Sequence, residues 1–156
     1  MPPRAPVGIF VATMTGLAQL CAEEIGIALA ASGIPSEALL MDGLGIDALA
    51  PFDALVIVSS TYGQGEIPDN GLALFAEVEA GGELSGKHYA VFALGDRTYS
   101  DTFCAAGDRW DAALAACGAS RFTDIARHDA SAGTFAEDVA GEWAARWASE
   151  LQCAPS

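Results

Sequence analysis

DALVIVSSTYGQGEIPDN, residues 53 to 70, sets two kinds of sequence side by side. Asp53 to Ser60 is a nearly continuous run of Leu, Val and Ile, the composition of a strand covered on both faces. From Ser59 onward the chain changes to hydroxyls, one tyrosine, two glycines and a proline. A buried strand that ends in freely turning backbone beside an aromatic ring predicts a parallel sheet with a ligand site at its strand ends.

Similar apolar runs recur on either side: PVGIFVA (6 to 12), SEALLMD (36 to 42), KHYAVFALG (87 to 95) and ASRFTDIA (119 to 126). Between them lie stretches with helical periodicity: LAQLCAEEIGIALAASG, GLALFAEVEAGG, CAAGDRWDAALAACG and FAEDVAGEWAARWASEL. Alternating strand and helix give a doubly wound α/β sheet of five strands. No repeat, low-complexity tract or linker interrupts the pattern, so one compact unit over 1 to 156 is expected.

The chain has 156 residues, 52% of them hydrophobic, enough for a core without staples. Cys21, Cys104, Cys117 and Cys153 lie far apart with no CxxC pair, which fits a reducing cytoplasm better than a disulfide scaffold or a zinc site. The six-residue apolar run after MPPRAP is too short for a signal or membrane segment. A net charge of -14 repels nucleic acid and anionic lipid, and favours basic protein partners or plain solubility.

In such a sheet, ligands sit outside the carboxyl ends of the strands, so the loops there carry the chemistry. The first is ATMTGLAQ (12 to 19): Thr13 and Thr15 offer hydroxyls, and Gly16 lets a helix start tightly with free amides aimed forward, a phosphate-binding arrangement that simple capping by either threonine would also explain. The second is the opening stretch, where Pro68, Asp69 and Asn70 read as a turn and cap for the helix starting near Gly71. That job leaves Tyr62 unexplained; between Gly63 and Gly65 it has a face free for a flat ring. The third is ALGDRTYSDTFC (93 to 104), where Gly95 turns the chain and Tyr99 supplies a second aromatic. A phosphate cup beside two tyrosine walls suits a phosphorylated planar cofactor, and flavin mononucleotide (FMN) matches in length and shape.

Other features point elsewhere. Gly43-Leu-Gly45-Ile-Asp-Ala48 imitates a dinucleotide fingerprint, but the next strand starts near Asp53 and leaves no room for the required helix. His88 and His128 have no partners at metal-ligand spacing, and there is no GxSxG elbow. Trp110, Trp143 and Trp147 fall in helical stretches and read as packing.

With these loops read, the sequence resembles the flavodoxin superfamily, specifically the short flavodoxins of the MioC type and the FMN domains of diflavin reductases. The resemblance rests on TMTGLA (13 to 18), SSTYGQGEIPDN (59 to 70), LGDRTYSDTFC (94 to 104) and HDASAGTFAEDVAGEW (128 to 143), in the family's order. It implies strand order 2-1-3-4-5 with helices on both faces. By position it makes Thr13, Met14, Thr15, Gly16, Leu17 and Ala18 the phosphate loop, and Ser60 and Thr61 contacts to ribityl chain and ring. Tyr62 and Tyr99 would cover opposite flavin faces, and Gly63 would sit near N5. Leu94, Gly95 and Asp96 would line the pyrimidine side, Phe103 and Cys104 would support the third loop, and Asp129 matches an acidic residue after the fifth strand. Leu17 replaces a threonine of many relatives, so phosphate binding leans on Thr13, Thr15 and backbone amides. One extra residue separates Tyr99 from Phe103, and the stretch before His128 leaves no space for the long-chain insertion.

The resemblance implies an electron carrier without its own substrate, moving one electron at a time from a basic-faced ferredoxin or flavodoxin reductase to an acceptor such as a biotin-synthase-like enzyme. A monomer is expected, with no membrane or nucleic-acid partner and no metal. One carboxylate ~10 Å from the reduced, anionic flavin costs ~0.4 kcal/mol, on the order of 20 mV per electron, so an acidic protein should be a strong reductant. Two rivals are a flavin-free receiver module, which needs aspartates where ATMTG stands, and an NAD(P)H-dependent flavin or quinone reductase, which needs a nicotinamide site.

Overall fold

The computed structural model describes residues 7–13, 16–60, 67–95, 105–129 and 133–153, the last five of these by backbone alone. Strands β1 (Val7–Ala12), β2 (Ser36–Leu40), β3 (Ala54–Ser59) and β4 (His88–Gly95) alternate with helices α1 (Leu17–Ala31), α2 (Leu72–Glu79) and α3 (Ala105–Ala116). Two short strands, β5 (Ser120–Arg121) and β6 (Ala126–Asp129), precede the last helix, α4 (Ala136–Cys153). The sheet is parallel in the order β2-β1-β3-β4-β5, with β6 also paired to β4. This is the flavodoxin-like order expected from the sequence.

Side-chain alternation sorts each strand into two cores. Val7, Ile9 and Val11 of β1, Val56 and Val58 of β3, and Ala90, Phe92 and Leu94 of β4 pack under α1 and α4 with Ile25, Leu29, Trp143 and Trp147. Phe10, Ile57, Tyr89 and Val91 point the other way, onto Phe75, Val78, Trp110 and Leu114 of α2 and α3. The three tryptophans are therefore packing residues: Trp110 lies edge-on to Phe75, and Trp143 touches both Phe92 and Trp147.

The connections leaving β1 and β3, which are neighbours, run to opposite faces. In open parallel sheets such a switch point is where ligands bind, outside the carboxyl ends of the strands.

The fifth strand departs from expectation. The run 119 to 126 is not continuous: Arg121 is opposite Tyr89 and Ala126 opposite Phe92, so Phe122–Ile125 stand against only Ala90 and Val91. Phe122 still donates its amide to the Tyr89 carbonyl and packs its ring against Trp147, after which the chain bulges out. Pairing resumes at Ala126 and extends to Asp129, so His128 and Asp129 are strand residues at the sheet's carboxyl end.

Candidate functional site

The register gathers the predicted positions along one edge of the sheet. Ala12 is level with Ser59, Ser59 with Ala93, and Gly95 with Asp129. Thr13, Ser60, Gly95 and Asp129 thus end four neighbouring strands, with ~4.8 Å between adjacent ones.

At β1 the turn into α1 is held from within. The Gly16 amide donates to Thr13 Oγ1 at 3.0 Å, and the Leu20 amide to the Gly16 carbonyl at 3.2 Å. Gly16 adopts φ 91°, a left-handed conformation that costs other residues energy. It makes no side-chain cap bond, and the first turn of α1 carries no acidic residue. Thr13 Oγ1 thus takes the Gly16 amide within the loop, and a Cβ added to Gly16 would meet none of the described residues within 4 Å. Ala18 is fully buried, so only its backbone can reach a ligand, and Leu17 packs on the core beneath α1 where a threonine would offer a hydroxyl. A helix start whose first turn carries no acidic side chain suits a phosphate monoester, and in that respect the described residues at this end fit FMN.

At β3 the Ser60 amide donates to the Ala12 carbonyl at 3.0 Å, and Ser59 Oγ donates to the Ser60 carbonyl at 3.0 Å. Leu94 is 4% exposed with its side chain in the core, which leaves its backbone and that of Gly95 for the ligand side. His128 is buried, and its Nε2 lies 3.0 Å from Thr134 Oγ1, tying β6 to the approach of α4. Met14, Thr15, Thr61, Tyr62, Gly63, Asp96, Tyr99, Phe103 and Cys104 lie outside the described residues.

Asn70 corrects the reading of PDN as a cap. Helix α2 starts at Leu72 with Gly71 as its N-cap and no side-chain cap bond. The Asn70 side chain turns instead to β1: Oδ1 accepts the Thr13 amide at 2.9 Å, and Nδ2 donates to the Val11 carbonyl at 3.2 Å and to Asp42 Oδ2 at 3.3 Å. Linear spacing gives no hint of a bond across 57 residues. The dinucleotide-like glycines are also accounted for: Ile46 enters a short 3-10 turn, and its amide is taken by Glu77 Oε1 at 3.1 Å.

Two further side chains stand out near this end. Phe135, just before α4, is 70% exposed, and Leu20, on the first turn of the neighbouring α1, is 49% exposed. Their backbones are fixed, since the Phe135 carbonyl accepts the Asp138 and Val139 amides.

Comparison with known proteins agrees with this geometry. The family described as Flavodoxin matches residues 9–143. Flavodoxin YqcA of Pectobacterium carotovorum subsp. carotovorum is 35% identical over 147 residues, covering 92% of this chain and 95% of that one. The sulfite reductase [NADPH] flavoprotein alpha-component of Aliivibrio fischeri is 36% identical over 124 residues, 78% of this chain but 20% of that protein. Among solved structures, a mutant of flavodoxin from Pseudomonas aeruginosa superposes with a TM-score of 0.85 at 29% identity, over 94% of this chain and 99% of that one. Oxidised Flavodoxin 2 from Bacillus cereus does so with a TM-score of 0.82 at 26% identity, over 94% and 99%.

Proposed function

The chain belongs to the flavodoxin family and is an FMN-binding electron carrier, and we propose that as one domain it takes electrons singly from a basic-faced reductase and hands them to an acceptor redox enzyme. The observation that carries the site is the glycine-opened start of α1, with no acidic residue in its first turn, at the carboxyl end of β1 next to β3. When bound, FMN supplies the one-electron chemistry; the chain holds and orients it and sets its surroundings. In this reading Thr13, Met14, Thr15 and Gly16, with the Leu17 and Ala18 amides, hold the phosphate. Ser60 and Thr61 reach the ribityl chain and ring, and Tyr62 and Tyr99 wall the two faces. Gly63 lies at N5, Leu94, Gly95 and Asp96 along the pyrimidine edge, with Phe103, Cys104 and Asp129 as supports.

The wall is tested directly. Losing one aromatic stack costs on the order of 1–3 kcal/mol, so Tyr62→Ala is expected to weaken FMN about tenfold or more. Its potential should rise, because stacking on an electron-rich ring favours the oxidised flavin. An affinity within about twofold of wild type, measured by flavin fluorescence, would remove Tyr62 from the site.

The partner reading rests on surface charge. Glu23 and Glu24 on α1, and Glu137, Asp138 and Glu142 on α4, which packs on it, accompany exposed Leu20 and Phe135, and the first cation on either helix is Arg146. Apolar side chains within an acidic field suit a basic protein with an apolar recess. Raising NaCl from low to about 0.5 M, where the Debye length is only a few ångströms, should slow electron delivery from such a reductase severalfold. Phe135→Ser should raise the reductase KM while leaving the bound-flavin spectrum unchanged; salt-indifferent transfer with unaltered KM would refute this docking surface. Among the described residues no helix is long and apolar enough to cross a membrane, and a cytoplasmic monomer accords with the buried free thiols of Cys21 and Cys117.

No carboxylate stands at Ala12-Thr13, which disfavours the receiver reading. NADPH oxidation by the purified protein without a reductase would favour the third.

A further inference from the structure

We propose that Asn70 is a positioning residue for the FMN phosphate, acting by extending the sheet one step beyond the end of β2. In a parallel ladder, one residue donates to the carbonyl before its partner and accepts the amide after it. Asn70 does this with its side chain: Nδ2 donates to the Val11 carbonyl and Oδ1 accepts the Thr13 amide, on either side of Ala12. Strand β2 cannot supply the bond. Its last rung is the Met41 amide on the Val11 carbonyl, after which the Met41 carbonyl is taken by the Leu44 amide as the chain turns. The side-chain amide fills that vacated place, and Asp42 holds it from the other side.

The consequence falls on the phosphate loop. Thr13, whose amide Asn70 fixes, is the residue whose Oγ1 holds the Gly16 amide and so sets where α1 begins. Asp42, Asn70, Thr13 and Gly16 form one chain of hydrogen bonds from the β2 turn to the helix start. The task needs a donor and an acceptor on one short side chain, which Asp, Ser and Ala lack at this reach.

The inference rests on residues 13 to 18 being the phosphate loop, and the test separates the two. Apoprotein is titrated with FMN and with riboflavin, which lacks the phosphate, and its thermal unfolding is recorded. Wild type should prefer FMN, and Asn70→Ala should lower FMN affinity about 10- to 100-fold while changing riboflavin affinity less than about threefold. Asp42→Ala, at an exposed position less prone to unfolding the protein, should lower FMN affinity about threefold with riboflavin and melting unchanged. Equal affinities of wild type for both ligands would overturn the phosphate-loop reading. If wild type discriminates and both variants discriminate as well as it does, the positioning role of Asn70 is overturned. Proportional loss of both ligands with a lowered melting temperature would also overturn it, since that marks a merely structural residue.

Discussion

Gly107→Val is expected to lower the unfolding free energy by ~3 kcal/mol and to weaken FMN binding about tenfold, while Gly107→Ala costs roughly half as much stability. Gly107 lies on the first turn of α3, pressed on β4. A Cβ there would stand 2.4 Å from the Ala93 Cβ and 3.4 Å from Val91 Cγ1. Ordinary carbon contacts need ~3.5–4.0 Å, so α3 must shift by more than ~1 Å. The strand cannot yield, because Ala93 pairs with Ser59 on one side and Arg127 on the other. Two effects compete for alanine: better helix propensity returns ~1 kcal/mol, while overpacking takes ~1–3 kcal/mol. Valine keeps little of the gain and adds bulk, so overpacking wins. α3 follows directly on residues 96–104, which carry proposed contacts to the flavin, so the shift is expected to be felt in FMN binding. Denaturant unfolding and FMN titration check both halves; a valine variant as stable as wild type would show that α3 is not seated as described.

The elements of the sheet were legible because their apolar runs are continuous and their boundaries carry turn residues. The apolar run 53 to 60 holds β3, Ala54–Ser59, and the periodic run 104 to 118 holds α3, Ala105–Ala116. The fifth strand is less legible because Phe122 and Ile125 are apolar enough to pass for strand, while Arg127 and His128 are not. What decides there is tertiary: Phe122 is drawn under Trp147, and His128 is buried against Thr134. At the site, strand ends and glycines were legible because backbone conformation leaves a compositional trace. Asn70 was not, because Pro-Asp-Asn is an ordinary turn signal and its amide's targets lie on a distant strand. The exposure of Phe135 is not written in the periodicity of FAEDVAGEWAARWASEL, because the residue stands just before the helix.

Alkaline conditions should destabilise the fold through Cys21. This side chain is fully buried on α1. Burial pushes its thiol from 9.0 up to about 12; the nearby Glu137 carboxylate of α4 adds to the rise, and a backbone hydrogen bond opposes it. The folded pKa lies above the unfolded one, so the unfolded chain releases this proton first. The contribution is fully present below pH 9 and is lost as pH rises from there through about 12. At ~1.4 kcal/mol per pH unit, the loss should reach ~3 kcal/mol by about pH 11. Tyr89 pushes in the same direction: burial and its hydroxyl's bond to Asp111 Oδ1 at 2.6 Å raise its pKa, with Arg121 partly countering. Cys21→Ala isolates the thiol. The variant should be less stable than wild type by ~1 kcal/mol near pH 7, where only the lost packing counts. It should be the more stable of the two by pH 11, where wild type must unfold to ionise its thiol or ionise it buried. Urea unfolding at both pH values, with thiolate absorbance followed in the native protein, decides the matter. Parallel stability curves for the two proteins across this range would mean that the thiol ionises in place, and that the α1 and α4 contact is wetter than the packing indicates.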